Sequence, residues 1–207
     1  MNKKLLIILD PAHGEETPGK RSPDEKHREY LWSREQLKRI DTELRLIGYT
    51  VKWTNETNME IGLSNRKNIA STLAKNYPGL TPFLISLHND AVTAGPIWQD
   101  RATGISVWTS KGVTKSDEFA KIFIDNIPNF LPDIKQRIYS QGTFGKDFDE
   151  NFTVLMGAYY AILIECMFQD NKADVEKLSD PEFKKDVIEW IMGSIDQCNE
   201  YAINKSI

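Results

Sequence analysis

Leu5-Leu6-Ile7-Ile8-Leu9-Asp10-Pro11-Ala12-His13-Gly14 passes from five consecutive apolar residues into an aspartate, a proline and a histidine backed by glycine. A short unbroken apolar run reads as a strand buried on both faces, since a strand with one face in water alternates. Such a strand belongs to a sheet covered by helices on both sides. The polar residues just beyond it fall where open α/β sheets bind ligands, outside the carboxyl ends of the strands. The run is preceded by Asn2-Lys3-Lys4, the basic opening of a signal peptide, but it stops at Asp10 with no small-residue cleavage site behind it. That favours a strand over a leader.

Outward from this strand the pattern repeats. Residues 14–26 hold Pro18, Gly19, Ser22 and Pro23 and read as an irregular, exposed loop. Leu37, Ile40, Leu44 and Ile47 recur at steps of three and four and predict a helix over 29–47, with Gly48 as its stop and a strand over 49–53. A second helix is expected over 64–75 with Leu63, Ile69 and Leu73 as its apolar residues, then a turn at Pro78-Gly79 and a buried strand from Phe83 to Leu87. Strands at 104–108 and 161–165 and helices at 115–130 and from 181 to about 201 complete the chain. The alternation predicts an α/β fold, one domain spanning 1–207, with a mostly parallel twisted sheet and helices on both faces.

Composition narrows the functional classes. The chain has 207 residues, 40% of them hydrophobic, enough for one full core. Its 26 basic residues are spread along the sequence against 30 acidic ones, which argues against a nucleic-acid partner. Cys166 and Cys198 stand far apart in apolar surroundings and read as reduced, buried thiols. No apolar stretch approaches the ~20 residues of a membrane helix. The expectation is a soluble protein made in the cytoplasm without a signal peptide and with no membrane insertion.

Chemistry-bearing residues gather at three strand ends: His13 after the first strand, His88 after Phe83–Leu87, and Glu165 closing Ala161-Ile162-Leu163-Ile164. Two of the three histidines in the chain are among them. Either histidine alone reads best as a structural residue; three such ends together read as a site. Two imidazoles and a carboxylate are the usual protein ligands of a catalytic zinc, Zn2+, although the same set suits iron. For the third ligand the loop into the first helix offers Glu25, His27, Glu29 and Glu35, with Glu29 best placed at the helix start and His27 reading as a solvated loop residue. Glu165, at the edge of an apolar sheet, suits proton transfer; burial would raise its pKa and a nearby cation would lower it. Arg66 could meet a substrate carboxylate or pair with an acid of its own chain, and Trp98 sits in a loop that could line a cleft.

The sequence resembles the type-3 family of zinc-dependent N-acetylmuramoyl-L-alanine amidases, which includes catalytic domains of phage endolysins and bacterial autolysins. The resemblance rests on the order and spacing of Leu9-Asp10-Pro11-Ala12-His13-Gly14, Thr17 to Asp24, Glu29, Leu63-Ser64-Asn65-Arg66, Ser86-Leu87-His88, Ala161 to Glu165 and Asp170 to Asp174. It implies that His13, Glu29 and His88 hold zinc, that Glu165 assists the attacking water, and that peptidoglycan is the substrate. Arg66 and Asn89 are the candidate substrate contacts. Ala12 and Glu15 stand where the family has glycines, and His88-Asn89-Asp90-Ala91 replaces its usual His-Ala-Asn-Ala, so the cleft should differ in shape. Action on the wall would follow holin-type release or other export. The rival readings are a zinc peptidase on a similar sheet and a wall-binding module without activity.

Overall fold

The computed structural model describes residues 2–93, 95–138 and 147–207. Among them are six strands in one sheet: β1 Leu5–Pro11, β2 Thr50–Trp53, β3 Thr81–Asp90, β4 Ile105–Thr109, β5 Phe148–Asp149 and β6 Tyr160–Phe168. The helices are α1 Glu29–Leu46, α2 Leu63–Asn76, α3 Asp117–Phe130, α4 Lys172–Ser179 and α5 Pro181–Lys205, with a 3-10 turn at Thr153–Leu155. The sheet order is β2-β1-β3-β6-β4-β5. Every neighbouring pair is parallel except β4 with β6. A single-domain α/β architecture with a mostly parallel sheet is therefore present as expected.

All seven residues of β1 are buried, and their alternation serves two cores. Leu5, Ile7 and Leu9 join Phe83, Ile85, Leu87, Ile162 and Ile164 in a large core with Leu37, Ile40 and Leu44 of α1, Phe119 and Phe123 of α3 and Trp190 of α5. Leu6 and Ile8 join Leu84, Ala161 and Leu163 in a smaller one, closed by Ala70 of α2 and by Val154, Leu155 and Tyr159. The second layer is thin. On its face of the sheet the side chains change from apolar to polar toward the carboxyl end, one step later on β6 and β4 than on β1 and β3: Ile8 gives way to Asp10, Leu84 to Ser86 and His88, Leu163 to Glu165, and Trp108 to Ser106 on the antiparallel β4. Register aligns the polar residues, Asp10 opposite Ser86 and His88 opposite Glu165, which is opposite Ser106. The carboxyl end of this face is a polar floor.

Three local features differ from the reading of the sequence or add to it. Ile47 lies past the end of α1 and is 46% exposed, because the chain turns there into Gly48 at φ 93°. On α2 the buried residues are Arg66 and Ala70, while Leu63 and Ile69 face outward; the helix lies over the polar floor, and a cation there answers a buried aspartate. Helix α4 has no apolar periodicity to announce it. It starts from Asn171, whose side chain accepts from the backbone N–H of Ala173 and Asp174.

Candidate functional site

His13 follows β1 in the left-handed region, φ 40°, a conformation that a non-glycine residue holds only when its surroundings over-determine it. They do so here: Arg34 Nη2 donates to the His13 carbonyl at 2.8 Å and Arg66 Nη2 at 3.2 Å. The next residue has to be glycine, since a Cβ on Gly14 would sit 2.2 Å from the backbone nitrogen of Glu60. Glu29 is the first residue of α1, fully buried at the positive end of the helix dipole. One turn on, Ser33 fixes the helix against the sheet, its Oγ donating to the Leu87 carbonyl at 2.7 Å and accepting from Ala12 N at 3.0 Å. His88 is on β3.

These three side chains converge. One ligand atom from each of His13, Glu29 and His88 lies within 4.8 Å of the others. His88 Nδ1 is 3.0 Å and His13 Nε2 3.5 Å from Glu29 Oε1, and the two rings meet edge to face with centroids 5.0 Å apart. The imidazoles keep 21% and 12% side-chain exposure and Glu29 none, so the cluster opens to solvent along the rings. Burial brings the His13 imidazole down to about 3, outweighing the attraction of Glu29. It is then neutral, the form in which imidazole ligates a metal. Burial pushes the Glu29 carboxyl up, but the His88 hydrogen bond prevails, joined by the charges that His13 and His88 acquire in acid and by Lys20, and brings it to about 2. Behind the cluster, His88 Nε2 lies 3.1 Å from Ser86 Oγ, which donates to Asp10 Oδ2 at 2.6 Å. That chain fixes the ring and its tautomer in the way outer-shell partners orient metal-binding histidines.

Glu165 stands beside His88 across the β3–β6 pair. Its Oε2 is enclosed and has no hydrogen-bond partner among the described residues. Burial, joined by the charges of Asp90 and Glu29, holds its carboxyl well above the ordinary range. Arg137 lies nearby, bonded to Asp90 Oδ2 at 2.5 Å and to Ser106 Oγ at 3.2 Å. A metal-binding set next to a carboxyl with a raised pKa is an arrangement suited to hydrolysis.

Of the four residues considered for the third ligand position, only Glu29 meets the histidines. Glu25 pairs with Arg21 and Arg28. Glu35 pairs with Lys184 at 3.0 Å. His27 is not a solvated loop residue: it is 7% exposed, and its Nε2 lies 2.8 Å from Asn89 Oδ1. The two candidate substrate contacts, Arg66 and Asn89, turn inward. Asn89 is 2% exposed and donates from Nδ2 to the Cys166 carbonyl at 2.6 Å. Arg66 is 1% exposed; it pairs with Asp10 at 3.4 Å and with Glu60 at 3.1 Å, and donates to the carbonyls of Pro11 and His13. Arg66→Ala would leave the buried Asp10 without its countercharge. Urea unfolding should show a loss of about 3–5 kcal/mol; a loss under 1 kcal/mol would free Arg66 for another role.

Sequence reasoning passed over Ser86 and Gln169 as site residues, yet Ser86 touches His88 and Gln169 Nε2 donates to Glu29 Oε2 at 3.0 Å. A signal existed for Ser86, a polar residue inside an otherwise apolar strand. Gln169 had none. Both cysteines are free and buried, and among the described residues no helix is long and apolar enough to cross a membrane.

The model of the Amidase_3 family, N-acetylmuramoyl-L-alanine amidase, matches residues 7–197. The N-acetylmuramoyl-L-alanine amidase AmiC of Neisseria meningitidis serogroup B is 32% identical over 117 residues, which are 55% of this chain and 25% of that protein. This chain thus covers about a quarter of that relative's length. An N-acetylmuramoyl-L-alanine amidase from Clostridium difficile 630 superposes with a TM-score of 0.77 at 23% identity, over 95% of this chain and 97% of its own. The catalytic domain of CwlV, an amidase from Bacillus (Paenibacillus) polymyxa, superposes with a TM-score of 0.75 at 17% identity, over 93% and 97%. At these identities the structural likeness speaks for the fold.

Proposed function

Because the chain belongs to the Amidase_3 family of N-acetylmuramoyl-L-alanine amidases, we propose that residues 1–207 act as one catalytic domain that hydrolyses the bond between N-acetylmuramoyl and L-alanine in peptidoglycan. The convergence of His13, Glu29 and His88 within 4.8 Å, beside the enclosed Glu165, carries this reading. The donor set fits zinc: two imidazoles, one held neutral, and a carboxylate held ionised, with outer-shell partners fixing His88 and Glu29. His13 Nε2, Glu29 Oε1 and His88 Nδ1 are the ligand atoms. The chemistry supplied by zinc bound there is Lewis-acid polarisation of the scissile carbonyl and acidification of water.

The remaining work falls to the chain itself. Glu165 accepts a proton from the attacking water and delivers it to the leaving nitrogen of L-alanine, so one carboxyl serves as base and then as acid. A carboxyl whose pKa burial has raised is suited to the return step, because it holds a proton more readily than a solvated glutamate does. Arg66 and Asn89 hold the site's frame rather than the substrate. Asp10 and Ser86 keep His88 in register.

The test is metal content with product identity. Purified protein should carry one zinc per chain by elemental analysis and should release intact stem peptides with a free L-alanine amino terminus from purified peptidoglycan. A metal-free protein that zinc does not activate would favour a wall-binding module. Cleavage inside the stem peptide would favour a peptidase.

A further inference from the structure

Gln169 is 1% exposed, and its Oε1 is enclosed with no hydrogen-bond partner among the described residues. A half-satisfied buried amide destabilises a fold relative to an apolar side chain of the same size. Among the described residues its one side-chain hydrogen bond runs from Nε2 to Glu29 Oε2 at 3.0 Å. Its backbone is tied as well, its N–H donating to the Asp90 carbonyl at 2.9 Å. The inward turn is local: strand alternation ends after Glu165, Met167 takes φ 64°, and residues 166–169 are all buried.

The two oxygens of Glu29 therefore have different surroundings. Oε1 faces His88 Nδ1 and His13 Nε2 and accepts from Asn89 N at 3.1 Å. Oε2 faces Gln169. We infer that Gln169 is a positioning residue that occupies Oε2 and so keeps Glu29 a one-oxygen metal ligand. With one nitrogen from each histidine this makes three protein donors, the number that leaves a fourth tetrahedral position free for water or a substrate carbonyl. A carboxylate freed to offer both oxygens would take up that position. The inference rests on the metal site proposed above.

Gln169→Met keeps the length and apolar bulk of the side chain and removes the donor; Gln169→Leu does the same with a different shape. Metal-free wild type and both variants would be titrated with zinc against a competing chelator, and then loaded with cobalt(II), whose visible absorption weakens as coordination number rises above four. The expected result is zinc affinity lower by about 10–100-fold and a weaker cobalt band, with the metal-free variants still unfolding in one cooperative transition, at a moderately lower temperature because Glu29 Oε2 loses its donor. Zinc affinity within twofold of wild type together with a wild-type cobalt spectrum overturns the inference. So does collapse of both variants, which would assign Gln169 to the fold. A wild type that binds neither metal fails the metal site itself, a distinguishable result.

Discussion

Glu165→Gln is expected to slow release of stem peptide by about 10²–10⁴-fold, the usual contribution of a positioned acid–base group, while leaving bound zinc and wall binding intact. The same change should stabilise the metal-free protein. Burial holds the folded-state pKa of Glu165 well above its ordinary 4.5. Below about pH 4.5 the carboxyl is protonated in folded and unfolded chains alike, so it favours neither. As the pH rises above 4.5 the unfolded chain loses the proton first and gains solvation, and wild-type stability falls until the folded-state pKa is passed. Glutamine has no proton to lose, so its advantage should be absent at pH 4 and grow toward neutrality. Unfolding midpoints across pH, with peptide release assayed in parallel, check both halves. Activity within threefold of wild type, or a stability difference that does not vary with pH, would count against a buried proton carrier.

What the sequence made legible follows from how much of each feature is local. β1, β3 and β6 are central strands covered on both faces, so their apolar runs stand out and the α/β reading was secure. β5 has only two residues, and α4 is organised by a cap and by Asp174 rather than by apolar spacing. The apolar residues of α2 do not mark its buried face, because the helix starts over polar floor, where Arg66 is the inward residue and Leu63 and Ile69 are left outside, while Leu73 packs on the smaller core. His13, His88 and Glu165 were legible because each interrupts or follows an apolar run at the same end of the sheet. The choice of Glu29 over Glu25, His27 and Glu35 came from family resemblance, since only the docking of α1 through Ser33 brings one of the four against His13 and His88. Gln169 was out of reach, because its contact with Glu29 spans 140 residues and depends on a local break in strand alternation.

Glu29→Ala is expected to abolish zinc retention on gel filtration and to reduce activity by more than the ~10–100-fold that outer-shell substitutions cost. Its effect on stability should run opposite to that of Glu165→Gln. The Glu29 carboxylate accepts from Asn89 N and Gln169 Nε2, with His88 Nδ1 at 3.0 Å, all in a site where Glu29 itself has no exposure. Removing it strands buried donors, each costing about 1–3 kcal/mol. Its folded-state pKa is about 2 against an ordinary 4.5, so the stability it contributes is present above about pH 4.5 and is lost as the pH falls toward 2. Metal-free wild type should show that acid-side loss and Glu29→Ala should lack it, whereas the Glu165 effect appears above pH 4.5. Two carboxyls of one site are thus pushed apart, one held ionised among donors and the other given a raised pKa by enclosure, so that it can take up a proton and return it. That division assigns the first to metal binding and the second to proton transfer. A Glu29→Ala protein that kept stoichiometric zinc would undo the assignment.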